Sequence, residues 1–243
     1  MADELLTLRV LLIGGADTDR EIWLQGASRS SVPLEFFSQG QNDEIDARSA
    51  IDICIVHAGL SETAREGVVQ AARLMRPPPL VVLSGGSTGE RPGGVDGVVS
   101  HPQNAEHARR LLQTCVRARL PTRVLIVDDS STMRSIVRKI LTASRFNLVL
   151  DECDQGAAAL ERVRTGGYGI VFLDYNMPGL NGFATLSQLR RDHSELAVVM
   201  ITSSLETAIA DRAHAAGALG FLRKPFYPAD IDAILERYFG LNA

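Results

Sequence analysis

The stretch Arg123-Val124-Leu125-Ile126-Val127-Asp128-Asp129 decides the fold. An apolar run this short, closed by two carboxylates, reads as a strand buried on both faces that ends at a polar rim. Beyond it, Ser130 to Thr132 offer helix caps, and Met133, Ile136, Val137, Ile140 and Leu141 recur at helical spacing on one face. Working outward, strand-type runs follow at 148–150, 170–173, 197–201 and 220–222. Helical stretches at 155–164, 182–191, 205–216 and 228–239 separate and follow them. Five strands alternating with five helices predict an α/β domain with a doubly wound parallel sheet.

The first half repeats the pattern, with strands expected at 10–13, 34–37, 53–56, 80–83 and 97–99. Matched positions drift slowly apart: Val10 to Val124 is 114 residues, His57 to Asp174 is 117, Ser84 to Thr202 is 118, and Pro102 to Pro225 is 123. That drift is what a duplicated domain with small loop changes gives. The largest step falls at Gly85-Gly86-Ser87-Thr88-Gly89-Glu90-Arg91-Pro92-Gly93-Gly94, a run that opposes helix formation. The first domain is therefore expected to lack its fourth helix. Its loss should bare apolar sheet surface beside Val81, Leu83 and Val98 for docking the second domain or a second copy of the chain, a homodimer. Pro121 ends one helix just before the next strand, which divides the chain into domains 1–120 and 121–243.

Of the 243 residues 45% are apolar and 22% charged, which excludes a disordered or fibrous chain. The apolar run 196–201 is far too short to span a bilayer, and the acidic start Met1-Ala2-Asp3-Glu4 is no signal peptide. A cytoplasmic protein with no membrane partner is expected. The net charge is −4, and neither half is the basic body of a nucleic-acid binder. Cys54, Cys115 and Cys153 share no metal-type spacing and read as small buried hydrophobes.

Ligands of a doubly wound sheet bind beyond the carboxyl ends of its strands. In the second half those ends deliver Asp128 and Asp129, Asp174, Thr202 with Ser203, and Lys224 before Pro225. Three converging carboxylates repel one another unless a hard dication such as Mg²⁺ sits among them. A carboxylate can also attack a phosphoryl group, a reaction helped by a metal, an ammonium and a hydroxyl nearby. The chain has 23 arginines and two lysines, Lys139 and Lys224. Where arginine is the default cation, Lys224 between Arg223 and Pro225 suggests that a compact ammonium is required there.

Four motifs now stand in order: residues 127–134 (Val-Asp-Asp-Ser-Ser-Thr-Met-Arg), 173–179 (Leu-Asp-Tyr-Asn-Met-Pro-Gly), Ile201-Thr202-Ser203, and 221–226 (Phe-Leu-Arg-Lys-Pro-Phe). With them the segment from Thr122 onward resembles the receiver domain of two-component response regulators, nearest the CheY type. The resemblance implies flavodoxin-like sheets in the order 2-1-3-4-5. It implies Asp174 as phosphoacceptor, served by a histidine kinase or histidine phosphotransfer protein. Asp128, Asp129, Asp174 and the backbone carbonyl of Asn176 would hold Mg²⁺, Asp128 acting through water. Thr202 and Lys224 would meet the phosphoryl oxygens, with Phe221 and Ser203 in the switch and the output face at about 204–239. Asn176 and Ser204 would flank the path of attacking water.

On the same scaffold the first half has Gly14-Gly15 for the paired aspartates, His57 for Asp174, Ser84 for Thr202 and His101 for Lys224. It resembles a degenerate receiver without a Mg²⁺ site. His57 reads as a packed or hydrogen-bonded histidine, with a phosphohistidine or a two-histidine metal site with His101 as the alternatives. The glycine-rich run lacks the Gly-Lys-Ser/Thr of a phosphate loop and reads as flexible.

The expected function is a response regulator acting through protein–protein contacts. No DNA-binding or enzymatic output segment is expected, and no enzymatic activity beyond its own phosphorylation and autodephosphorylation. A relay intermediate and a phosphate sink are alternatives within that class. A hydrolase using Asp174 as nucleophile is a further one, disfavoured because Asn176 stands where dehalogenase-type phosphatases carry a second aspartate. A nucleotide-binding module lacks its phosphate-loop signature.

Overall fold

The computed structural model describes residues 7–40, 50–86, 93–204 and 207–242. The chain forms two compact units: Met1–Leu120 with Phe239–Ala243, and Pro121–Tyr238. The last five residues thus belong with the first unit, whereas the sequence had placed them in the second domain.

The first unit contains β1 (Leu8–Ile13), α1 (Asp17–Ala27), β2 (Leu34–Gln39), β3 (Ile53–His57), α2 (Glu62–Leu74), β4 (Leu80–Ser84), β5 (Gly97–Val99) and α3 (Ala105–Arg119). Its strands are parallel in the order β2-β1-β3-β4-β5. Strands β3 and β4 are buried almost end to end, as expected of central strands covered on both faces. Ser61 caps α2 and Asn104 caps α3, each side chain accepting a backbone N–H two turns' ends would otherwise leave unpaired.

No helix stands between β4 and β5 among the described residues, which there comprise 85–86 and 93–96; the rest of the glycine-rich run lies outside them. The three residues expected beside a bared apolar face are not themselves exposed. Val81, Leu83 and Val98 are all buried, packed in a cluster with Val68, Val69 and Val95. The C-terminal tail closes the far edge: the Val98 amide donates to the Leu241 carbonyl at 2.6 Å, and Leu241 is itself fully buried. Gly97 makes the approach possible, because a Cβ there would stand 2.6 Å from the Cβ of Leu241.

The second unit runs β6 (Thr122–Val127), α4 (Ser131–Thr142), β7 (Leu148–Cys153), α5 (Gly156–Gly166), β8 (Ile170–Asp174), α6 (Gly182–Asp192), β9 (Ala197–Thr202), α7 (Thr207–Ala215), β10 (Gly220–Arg223) and α8 (Pro228–Phe239). Its parallel strands stand in the order β7-β6-β8-β9-β10. Each unit is thus a flavodoxin-like sheet in the order 2-1-3-4-5. One core cluster joins Leu125, Val171, Leu173, Val198 and Met200 of the sheet to Leu186 and Leu189 of α6. The buried stripe of α4 is narrower than its spacing suggested: Val137 and Leu141 are buried, but Ile136 is exposed. The three cysteines are free and buried. Burial pushes the thiols of Cys54 and Cys115 up to about 12, which keeps them protonated and inert.

Candidate functional site

The carboxyl ends of β6, β8, β9 and β10 deliver the four sequence motifs to one corner of the second unit. Asp174 is the last residue of β8, a strand buried along its whole length, so the sheet carries this carboxylate to the rim while holding it 3% exposed. Asp128 follows β6 and is equally buried. Its Oδ1 accepts the Ser130 amide at 2.9 Å, which fixes the turn into α4. Arg134, one turn into that helix, donates to the Asp128 carbonyl at 2.7 Å. Asp129 is exposed.

Lys224 reaches this corner because its amide donates to the Thr202 carbonyl at 2.8 Å, continuing the pairing of β10 with β9. Its Nζ then donates to Asp174 Oδ1 at 2.6 Å and to Asp128 Oδ2 at 2.9 Å. The second oxygen of Asp174 accepts the Asn176 amide at 2.9 Å.

One ammonium bridges two buried carboxylates, Asp128 and Asp174, and the balance shows in the titration of Asp174 and Lys224. Burial pushes the Asp174 carboxyl above its ordinary value; Lys224 opposes this and the neighbouring Asp128 charge adds to it. Burial alone would lower the ammonium of Lys224, but its hydrogen bonds to Asp174 and Asp128 together outweigh it and hold the group above its ordinary value. The two shifts agree physically: the shared lysine gains two partners, while each carboxylate gains only part of one cation.

Oxygens of Asp128, Asp129 and Asp174 lie within 4.8 Å of one another. An all-oxygen donor set carrying two uncompensated negative charges fits a hard divalent cation such as Mg²⁺.

Thr202 is fully buried at the end of β9, its Oγ1 accepting the Ser204 amide at 3.1 Å. Ser203 is exposed beside it and accepts from Asn176 Nδ2 at 3.4 Å. Phe221 is half-buried on β10 against the core cluster. All the positions singled out from the sequence therefore gather on this edge of the sheet or next to it.

Gly182, by contrast, was not anticipated as part of the site. It opens α6, donates its amide to the Tyr175 carbonyl, and lets the helix start directly against the backbone of Asp174. A Cβ there would stand 2.1 Å from the Asp174 carbonyl oxygen. Gly182→Ala should therefore displace the Asp174 loop, destabilise the fold by about 1–3 kcal/mol, the usual scale of overpacking, and weaken Mg²⁺ binding. Thermal unfolding and an Mg²⁺ titration of the variant check both.

In the first unit the corresponding strand ends carry His57, the last residue of β3, and His101, beyond β5. The sequence aligns no carboxylate with these positions. The structure brings one in from α1: Asp19 Oδ1 lies 3.2 Å from His101 Nε2, and its Oδ2 lies 3.7 Å from His57 Nε2. Asp19 was missed because it sits in the first turn of a helix, where an acidic residue usually needs no explanation beyond capping and the helix dipole.

The matches to known proteins fall on the second half. A family model described as the response regulator receiver domain matches residues 124–236. The chemotaxis protein CheY-3 of Vibrio cholerae is 38% identical over 119 residues, which span 48% of this chain and 91% of that protein. The chemotaxis protein CheY of Pseudomonas aeruginosa is 34% identical over 119 residues, 48% of this chain and 95% of its own length. Among solved structures, that of Vibrio cholerae CheY4 crystallised at low pH is 26% identical and covers 49% of this chain and 99% of its own, with a TM-score of 0.45.

Proposed function

The chain belongs to the response regulator receiver family, and from that premise we propose that Asp174 is its phosphoacceptor, in a Mg²⁺-dependent reaction that switches protein–protein contacts. The observation that carries this is Lys224 Nζ bridging two buried carboxylates, 2.6 Å from Asp174 Oδ1 and 2.9 Å from Asp128 Oδ2, with oxygens of Asp128, Asp129 and Asp174 gathered within 4.8 Å of one another. Receiver domains take their phosphoryl group from histidine kinases or phosphotransfer proteins, and such a protein is the expected donor here.

Asp129, Asp174 and the Asn176 carbonyl would hold the ion directly and Asp128 through water; bound there, the ion would neutralise charge on the phosphoryl oxygens. Asp174 acts as nucleophile: one carboxylate oxygen forms a bond to phosphorus as the bond to the donor's imidazole nitrogen breaks. Lys224, already hydrogen-bonded to Asp174, follows the new charge and pairs with a phosphoryl oxygen. The Thr202 hydroxyl turns from the Ser204 amide toward another of these oxygens. That movement vacates space beside β10, and Phe221, half-buried on the neighbouring strand, turns inward to fill it. The altered face, about residues 204–239, is what a partner reads.

The first unit is proposed as a receiver-like domain that is not phosphorylated by this chemistry, since Gly14, Gly15 and His57 replace the acidic positions. We assign the chain no multiple-turnover enzymatic role. The test is incubation with Mg²⁺ and acetyl phosphate, read by intact-mass spectrometry alongside phosphomonoester turnover. One phosphoryl group per chain and no ester turnover is the expected result. Many turnovers on an ester would instead make the protein a hydrolase.

A further inference from the structure

We propose that Asp19, His57 and His101 form a second metal site, in the first unit, selective for a first-row divalent ion of the zinc class. The ligand atoms come from α1, the end of β3 and the loop after β5, and lie within 4.8 Å of one another: a carboxylate oxygen of Asp19 and one ring nitrogen from each histidine. The two rings meet edge to face, with centroids 5.5 Å apart at 87°. Each Nε2 faces a different oxygen of the same carboxylate. Tetrahedral zinc with Zn–N bonds of about 2.0–2.1 Å needs ligand atoms about 3.4 Å apart. The two histidine–carboxylate spacings, 3.2 and 3.7 Å, already bracket that value, and the remaining adjustment is side-chain rotation at a site that is only partly buried.

The surroundings are built to leave room for it. Gly14 and Gly15 have φ values of +81° and +83°, a region that side chains disfavour. A Cβ on Gly15 would come within 3.3 Å of Asp19 Oδ2 and 3.5 Å of the His57 ring; one on Gly59 would lie 2.9 Å from His57 Nδ1. A cavity of about 410 Å³ opens beside His57, lined also by Gly14, Gly15, Ala16, Arg20 and Gly59. It supplies space for water or an exogenous ligand in the remaining coordination positions.

The donor set separates the two domains chemically. Two imidazoles and one carboxylate select zinc, cobalt, nickel or copper over magnesium, whereas the second unit offers oxygens alone. His57 Nδ1 accepts the Gly59 amide at 3.0 Å, so in the neutral ring the hydrogen is on Nε2, directed at Asp19. When Nε2 takes the metal, that hydrogen relocates to Nδ1 and the Gly59 bond is given up, which moderates the affinity. Asp19 also accepts the Ala16 amide at 2.9 Å, a contact that holds its carboxylate in place with or without the ion.

The experiment is calorimetric titration of the full chain with Zn²⁺ in excess Mg²⁺, which occupies the oxygen site, followed by Co²⁺ titration read by visible absorption. One tight ion per chain is expected, with a cobalt spectrum showing nitrogen ligation. His101→Ala, at a half-exposed position, and Asp19→Asn should each weaken binding by more than about 100-fold, beyond the 10–100-fold typical of outer-shell changes. Circular dichroism confirms that each variant folds. Failure to bind, binding untouched by His101→Ala, or loss only with Asp129→Ala would each overturn the assignment. The outcome is independent of whether Asp174 is phosphorylated.

Discussion

Asp174→Asn is expected to abolish phosphoryl incorporation from acetyl phosphate entirely, and at the same time to raise the thermal midpoint of the metal-free protein. Loss of incorporation follows because the amide is no nucleophile. The gain in stability follows from the raised pKa of Asp174, whose leading cause is burial. A carboxyl whose folded pKa lies above its unfolded one binds protons more tightly when folded, so its contribution to stability falls as pH rises through the carboxylate range. At neutral pH the ionised group is a net cost. Asparagine removes it, keeps an acceptor for the Asn176 amide, and leaves Lys224 paired with Asp128. Mg²⁺ should raise the midpoint of the parent protein but barely move that of the variant. Differential scanning calorimetry with and without Mg²⁺, paired with intact-mass spectrometry after acetyl phosphate, reads both effects. A variant that still takes up one phosphoryl group would remove Asp174 from its assigned role.

Lys224→Ala should act in the opposite direction on stability. The ammonium donates to two carboxylates that are 1% and 4% exposed, and without it both are left with amide donors alone. Removing one partner of a buried ion pair typically costs about 3–5 kcal/mol. The lower end is expected here, because the lysine side chain is 20% exposed and a carboxyl can escape by taking up a proton. The deficit should therefore shrink as pH is lowered into the carboxylate range and shrink again on addition of Mg²⁺. Urea unfolding at several pH values, with and without Mg²⁺, measures it. Because Asp174 remains, phosphoryl uptake should slow without being lost, while the response of residues 204–239 to phosphorylation should disappear from amide-exchange or NMR spectra. A pH-independent loss that Mg²⁺ does not relieve would place Lys224 in a packing role only.

What the sequence made legible follows from where each residue sits. Asp128, Asp174 and Lys224 each stand at the end of a short apolar run, and a parallel sheet has one edge to which such ends can point. Their convergence could therefore be read from the strand pattern before any geometry was known. Gly182 was not readable in this way: its role comes from the Asp174 carbonyl 2.1 Å from its absent Cβ, a contact between two chain segments. Asp19 sat in a helical first turn and showed itself as a partner of His57 and His101 only once α1 was packed beside the strand ends. The cover over β5 escaped for a similar reason, since Leu241 reaches Val98 from the far end of the chain. On α4, helical spacing identified the buried Val137 and Leu141 but overestimated the width of the buried stripe, leaving Ile136 in solvent. Local pattern set the elements and the chemistry at their ends; partners separated by most of the chain needed the packed structure.

The central claim is that oxygens of the second domain gather around a divalent cation within reach of Lys224. Its most direct measurement is the anomalous signal of crystals soaked in Mn²⁺, an oxygen-preferring stand-in for Mg²⁺. A single strong peak is expected in the second domain, coordinated by Asp129, Asp174 and the Asn176 carbonyl, with Lys224 still beside Asp174. Full-occupancy manganese elsewhere in that domain, or carboxylates turned apart with no ion among them, would contradict it.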